Sequence, residues 1–584
     1  MIRKLMICAS ALLPVTGLAA TAAPAFAAED GGNAELARLS DAFVASQLGY
    51  DPTLSYISGL PAPDHRRWAD RSPAAILAFR REQDAMLQRL NAIDANTLSA
   101  TDRRSYALLK EQLESENQAR VCKSELWTVS HMDGWQLAAV RIAQAQPVAT
   151  AAERAQALER WAALPAAIDR EIANLRIGLA QDYSAARSVV ARVVKQVDGL
   201  ATAPIDKSPF MSPAQRSEDA AFKAAYRAVI ADKVVPALAR YRDYLKTEYL
   251  PRARTALGVA ANPNGASCYQ ASLRLNTTLN RTAQQVHDIG AAAVARNAAV
   301  ATDLGEKMFG TRDLGEIVKR VNSAPDNIFG SEEELVAYSR VAVARALAKT
   351  PPLFRSMPQQ EVLVEPFREF MRGSGASSHY EIQTDPAKPA YYRIGSENWK
   401  TETRGGAELT AVHEAYPGHH MQLAFAQTLP QTPLSKISFN SAYIEGWARY
   451  SEMLAEEAGM YESRYTPISR RVWPARGMVA DPGLHVLGWS REKTIAYLAE
   501  TGRFGPVEAE DMVDRMASLP GQLTAYDSGG LEIMALREEA KKALGDKFDL
   551  RDFHQAVLGA GIVPLGELRT QIERWIAETR SRGL

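Results

Sequence analysis

Apolar residues recur every three or four positions along most of the chain, separated by Glu, Arg and Gln, a spacing that predicts amphipathic helices. The pattern is clear over 31–47, 75–118, 150–181 and 216–255. In the second of these runs Ile76, Phe79, Met86, Leu87 and Leu90 fall at helical spacing. Stretches rich in Pro, Asn or Gly at 51–63, 204–213 and 261–267 break the periodicity and predict loops. None is long or polar enough for a flexible interdomain linker. Strand signals are few: 360–364 and 391–394, on either side of the turn-rich 373–390 region, predict a small sheet. After residue 407 helical spacing returns and holds to the C-terminus. The pattern therefore predicts a mainly α protein, one large helical unit over 28–584 with two lobes around a cleft and a minor β-sheet. A division near residue 265 is weakly supported by the same pattern.

Composition narrows the partners. The 584 residues are 46% hydrophobic and 23% charged, ordinary for a globular protein, and 68 basic residues balance 68 acidic ones. No basic excess exists to drive nucleic-acid binding, so a peptide or another small amide is the easier substrate to defend.

The first 27 residues read as an address. Arg3 and Lys4 precede an apolar run over 5–20, and Ala25-Phe26-Ala27 supplies the small-x-small pattern of a cleavage site. A retained anchor is the alternative, but Pro14 and the short span argue against it. Cys8 follows Ile7, which is not small, and so is a poor lipidation site. The expectation is export to the periplasm or the medium, with no membrane association after the signal is removed. Cleavage leaves Cys122 and Cys268, which an oxidising compartment could join; two separately buried thiols are the alternative.

The segment Thr410-Ala411-Val412-His413-Glu414-Ala415-Tyr416-Pro417-Gly418-His419-His420 holds three of the nine histidines. A His-Glu pair followed closely by His suggests a zinc hydrolase, but the usual spacing of four is absent because position 417 is proline. On an unbroken helix His413 and His419 would lie about 240° apart, and His420 roughly 10.5 Å along the axis from His413. Pro417 cannot donate the helical bond to the His413 carbonyl, and Gly418 tolerates unusual dihedrals. The helix should therefore open at 415–418. A bulge of two residues would put His419 where the second ligand belongs; His420 would need three. His419 is the preferred ligand, and His420 a supporting residue or substrate contact. A histidine cluster capping a helix break, or a lost active site, is the alternative.

Further on, Glu445, Arg449 and Glu452 share one helical face amid aromatics and alanines, where a solvated face would carry lysines. An intrahelical ion pair is the plain reading. The functional one makes Glu445 the third ligand, with Arg449 and Glu452 supporting it.

HEAYPGHHMQ, AYIEGWARYSE, DPGLHVLGWSRE at 481–492 and ALREEAKKALGDKFDLRDFH at 535–554 together resemble the bacterial family designated domain of unknown function 885. NGASCY at 264–269 is similar too. A more distant likeness is to the helical Taq-type carboxypeptidases, in which the downstream glutamate is also followed by arginine at +4 and glutamate at +7. The resemblance implies a mostly helical metallopeptidase fold with a deep cleft and one Zn2+ per chain; it fixes no substrate beyond the size limit of such a cleft, which favours short peptides.

On that reading His413, His419 and Glu445 hold the metal and Glu414 is the general base. Tyr526, in PGQLTAYDSGG, is the first candidate for stabilising the oxyanion, and His485 the second. The resemblance is imperfect after the tyrosine, where lysine is common and this chain has Asp527. Tyr526 as a core residue and His485 as a surface helix end are the alternatives. Arg476 and Arg537 are weak candidates for a substrate carboxylate. His65, His131, His287, His379 and His554 lack ligand-spaced neighbours and read as structural. A zinc hydrolase of another amide and a catalytically silent cleft-binding protein stand as rival functions, the second disfavoured by the intact Glu414.

Overall fold

The computed structural model describes residues 32–372, 377–383 and 385–581. The export signal expected at 1–27 lies outside them. The chain forms two compact units, one of residues 1–271 with 432–439 and one of 272–431 with 440–584.

In the first unit the helical runs are largely as the spacing predicts. Helix α1 spans Ala34–Tyr50. The run at 75–118 is two helices, α2 (Pro73–Asn91) and α3 (Ala100–Ala119). Polar side chains explain the break: Asp94 accepts from the Asn96 amide and Ser99 from the Asp102 amide, which gives the backbone an alternative to helix continuation. Helix α4 (Ala151–Ala180) opens on a capping box between Thr150 and Glu153. The run at 216–255 becomes α5 (Ala220–Val229) and α6 (Val235–Tyr244), joined and followed by five-residue π turns. Trp161, Phe210, Tyr226 and Tyr241 centre one core of this unit; Leu39, Phe43, Leu90 and Leu109 centre another. Leu434, from the short helix Pro433–Ile437, joins the second core. Cys122 and Cys268 form a disulfide with Cα atoms 4.6 Å apart.

The second unit carries the sheet. Strands β1 (Val362–Pro366), β2 (His379–Glu381) and β3 (Ala390–Ile394) lie in the order β1-β3-β2. β1 runs parallel to β3 with Val364 opposite Tyr392, and β2 runs antiparallel to β3 with Tyr380 opposite the same residue. β2 falls inside the region expected to be turns; three residues are too few to show a strand alternation. Beyond the sheet come α7 (Arg404–Glu414), α8 (His419–Thr428), α9 (Ser441–Glu457), α10 (Arg476–His485), α11 (Pro506–Ser518), α12 (Ala525–Leu544) and α13 (Leu550–Leu558). The protein is mainly α with one small sheet. Among the described residues no helix is long and apolar enough to cross a membrane.

Helices α9 and α12 cross at glycines. A Cβ on Gly529 would sit 1.8 Å from the Ala442 carbonyl oxygen, and one on Gly446 would sit 2.5 Å from the Gly529 backbone. Without side chains at these points the two backbones touch, which brings Tyr526, one turn before Gly529 and Gly530, beside the face of α9 that carries Glu445 and Arg449.

Candidate metal centre

Helix α7 stops at Glu414 and α8 starts at His419. Between them Pro417 offers no amide hydrogen, and the Tyr416–Pro417 peptide is cis. The hydrogen-bond register counts what is looped out. Gly418 donates to the Val412 carbonyl at 3.1 Å, and Met421 to that of Ala415 at 3.4 Å. Each bond spans six residues where a helix spans four, so two residues are extra. Gly418 permits this: a Cβ there would meet the His413 carbonyl oxygen at 2.0 Å. The loop is pinned from α9, where Trp447 Nε1 and Ser451 Oγ both donate to the Pro417 carbonyl, at 2.9 and 3.0 Å.

The bulge sets the two imidazoles edge to face, with ring centres 4.8 Å apart. Nε2 of His413 and Nε2 of His419 each lie 3.5 Å from Glu445 Oε2. The three ligand atoms fall within 4.8 Å of one another. Bonds of about 2.0–2.1 Å to a tetrahedral zinc imply ligand–ligand edges of about 3.3–3.4 Å, which the two 3.5 Å separations from Glu445 approach.

Behind His413 stands Glu452, whose Oε1 is 2.9 Å from His413 Nδ1 and 2.8 Å from Arg449 Nη1. This is the carboxylate–histidine arrangement that fixes a ligand's tautomer and orientation. Arg449 Nε in turn lies 3.5 Å from Asp527 Oδ1. His419 differs: its Nδ1 is buried without a hydrogen-bond partner. Burial pulls the His413 imidazole down, but the Glu445 and Glu452 carboxylates outweigh it and push it up to about 10. Burial raises Glu445 too, yet the bonds from His413 and His419 hold it well below the usual carboxylate range. Glu414 is raised, because burial exceeds the pull of His413 and His419.

The remaining sequence candidates divide. Arg449 and Glu452 stand at the trio as described. Tyr526 does too: Arg449 lies over its ring at 5.9 Å, and burial together with the Glu445 charge raises its phenol. His420 takes the place of a supporting residue, turned into the scaffold. It is fully buried, with Nδ1 3.0 Å from the Tyr380 hydroxyl and Nε2 2.9 Å from the Gln360 carbonyl. Burial lowers it to about 4, and it tethers α8 to β2 and to the segment leading into β1. His485 is buried, with Nε2 3.0 Å from the Met516 carbonyl, a bond within the scaffold rather than at the trio. Arg476 meets the Tyr497 carbonyl and Glu500, and Arg537 meets Glu457.

Arg515 and Gln522 escaped the sequence reading. Arg515 Nη2 is 2.9 Å from Gln522 Oε1 and 3.4 Å from the Tyr526 hydroxyl, and among the described residues its Nε has no partner and no carboxylate pairs with it. An unpaired guanidinium beside Tyr526 is visible only once α11 and α12 are placed together.

Two solved structures share the fold. A protein described as a "putative lipoprotein" from Colwellia psychrerythraea aligns with TM-score 0.84 at 24% identity, covering 94% of this chain and 100% of its own. A second, from Shewanella oneidensis and described as of unknown function, aligns with TM-score 0.76 at 20% identity, covering 92% and 99%. The curated proteins offer no match. The sequence profile of one family matches residues 45–572, nearly the whole described chain, and the protein accordingly belongs to the family described as bacterial protein of unknown function (DUF885).

Proposed function

We propose that this protein is an exported zinc metallopeptidase acting on short peptides. The observation that carries the reading is the convergence of His413, His419 and Glu445 beside the buried Glu414. When bound, zinc supplies Lewis-acid activation of a water molecule and of the substrate carbonyl. Glu414 takes the proton of the attacking water and returns it to the leaving amine, so the C–N bond breaks as the new C–O bond is completed. Burial favours that role by raising the carboxylate's basicity. The Tyr526 hydroxyl donates to the developing oxyanion, and Arg515 holds that hydroxyl and adds a fixed positive charge beside it. Glu452 keeps His413 turned toward Glu445.

The restriction to short peptides follows from the family resemblance. Export rests on the signal pattern of residues 1–27, supported by the disulfide, a bond that persists in oxidising compartments.

Elemental analysis tests the reading first. About one zinc per wild-type chain is expected, lost in Glu445→Ala. Glu414→Gln should keep its zinc and lose hydrolysis of short peptides by about 10²–10⁴-fold. Zinc retained with turnover confined to non-peptide amides would move the assignment to another amidase. No zinc in any form, even when supplied, would leave a binding protein.

A further inference from the structure

Solvent reaches the histidine–glutamate trio, and it also reaches the side chains that lead away from it. Side-chain exposure is 15% for His413 and 21% for Glu445, while Arg449, Tyr526, Gln522 and Arg515 are half-buried. These groups form a chain of contacts. Glu445 and Arg449 face Tyr526, and the Tyr526 hydroxyl is 3.4 Å from Arg515 Nη2.

The two cations of this surface are not alike. Arg449 has Glu452 at 2.8 Å and Asp527 at 3.5 Å. Arg515 has no carboxylate among the described residues. Asp514, its neighbour on α11, pairs instead with Arg491 at 2.7 Å. Both hydrogen bonds of Arg515 run from Nη2 to neutral oxygens, those of Gln522 and Tyr526. Nε is enclosed by protein, so no ligand can reach it. Nη1 is different: among the described residues it makes no hydrogen bond, and it is not enclosed.

The guanidinium is held in place before any ligand arrives. Gly521, at φ +79°, turns the chain between α11 and α12, and its amide donates to Asp481 Oδ1 at 2.9 Å. That turn sets Gln522 against Arg515. Neutral acceptors fix the group without offsetting its charge, which arginine cannot shed, so the charge stays available to an incoming anion. The reach is short. On the peptidase reading the oxyanion lies about 3 Å from the Tyr526 hydroxyl, and Arg515 is one hydrogen bond further on. One residue of extended chain spans at most about 3.6 Å, so a carboxylate on the residue next to the scissile bond comes within range of Nη1. A peptide offers such a group from its free C-terminus or from an Asp or Glu side chain.

We propose that Arg515 determines specificity by binding, through Nη1, a carboxylate on the substrate residue next to the scissile bond, an inference that rests on the peptidase reading. Binding and turnover test it separately. Calorimetric titrations use Glu414→Gln, in which hydrolysis is blocked, and the probes acetyl-Ala-Phe, acetyl-Ala-Phe-amide and acetyl-Ala-Glu-amide. A carboxylate-bearing peptide should bind about 10–10²-fold more tightly than the neutral amide. Preference for acetyl-Ala-Phe would assign the contact to the C-terminal carboxylate, and preference for acetyl-Ala-Glu-amide to the acidic side chain. Adding Arg515→Met should erase the advantage, and Arg515→Lys should keep part of it. Equal affinity for acid and amide, no binding of any probe, or an advantage that persists in Arg515→Met would overturn the proposal and leave Nη1 to water. The first two of these outcomes need no Arg515 variant to fold. Wild-type turnover separates this failure from that of the peptidase reading. Hydrolysis of the neutral amide as fast as of both acids would overturn the carboxylate contact alone. Carboxylate-dependent binding with none of the probes hydrolysed would support the contact and overturn the peptidase reading.

Discussion

At the scale of single residues, a buried histidine keeps its charge where carboxylates face it, as His413 does, and loses it where only neutral groups do. His554 shows how. It is 0% exposed, with Nδ1 2.8 Å from the Leu353 carbonyl and Nε2 2.6 Å from the Tyr450 hydroxyl. Burial lowers it to about 3, against an ordinary value of 6.5. The unfolded chain therefore takes up a proton here as pH falls below 6.5, while the folded chain does not until about 3. The stability this group contributes is complete above pH 6.5 and drains away between the two values, by at most about 5 kcal/mol. Denaturant melts across that window should show the slope, and His554→Gln should flatten it; an unchanged slope would mean the ring is hydrated in the folded state. The same logic explains what sequence could reveal about the trio. A histidine beside a glutamate, a proline where a ligand was due and an acid on a later helix are each visible in one dimension. The full burial of His420 depends on Gln360 and Tyr380, 60 and 40 residues away, so no local pattern announces it.

At the scale of elements, the centre depends on two backbone accommodations. One is the two-residue bulge at 415–418, predictable because Pro417 forbids one bond and Gly418 tolerates the detour. The other is the contact of α9 with α12, which spacing does not reveal: SGG in a helical run reads as weak helix until Ala442 is found against it. Gly529→Ala tests it. The added methyl would sit 1.8 Å from the Ala442 carbonyl oxygen, and that backbone atom cannot swing away as a side chain would. We expect a loss of about 3 kcal/mol in urea unfolding, at the severe end for overpacking. On the proposed peptidase reading, hydrolysis of short peptides should fall further than stability alone explains, because Tyr526 moves with α12. Unaltered melts and kinetics would show that the crossing is looser than its geometry implies. The break between α2 and α3 was missed for a different reason, since apolar spacing continues across it while two capping side chains end the helix.

At the scale of the whole molecule, the disulfide is a covalent constraint between positions far apart in sequence. Cys122 and Cys268 are 146 residues apart in sequence, and closing so long a loop removes unfolded-state entropy worth about 5 kcal/mol in the chain-entropy view. Cys122→Ala with Cys268→Ala should lower the stability of the first unit by an amount of that order. On the proposed reading zinc content should be unchanged, because the trio lies in the other unit. Loss of zinc in that double variant would show the two units to be coupled. Helical class was legible throughout because apolar spacing is a local property; the pairing of two cysteines and the assignment of 432–439 to the first unit are not.

That assignment carries a consequence for synthesis. Leu434 completes the core formed by α1, α2 and α3, yet it is translated after both histidines of the trio and before Glu445. The amino-terminal half therefore cannot finish its own interior when its ribosomal segment ends. It must wait for a stretch made much later, and a polypeptide truncated at residue 271 would expose an apolar gap. Cutting the gene at that boundary should yield two insoluble fragments, whereas a first fragment supplied with the 432–439 peptide would regain its missing plug.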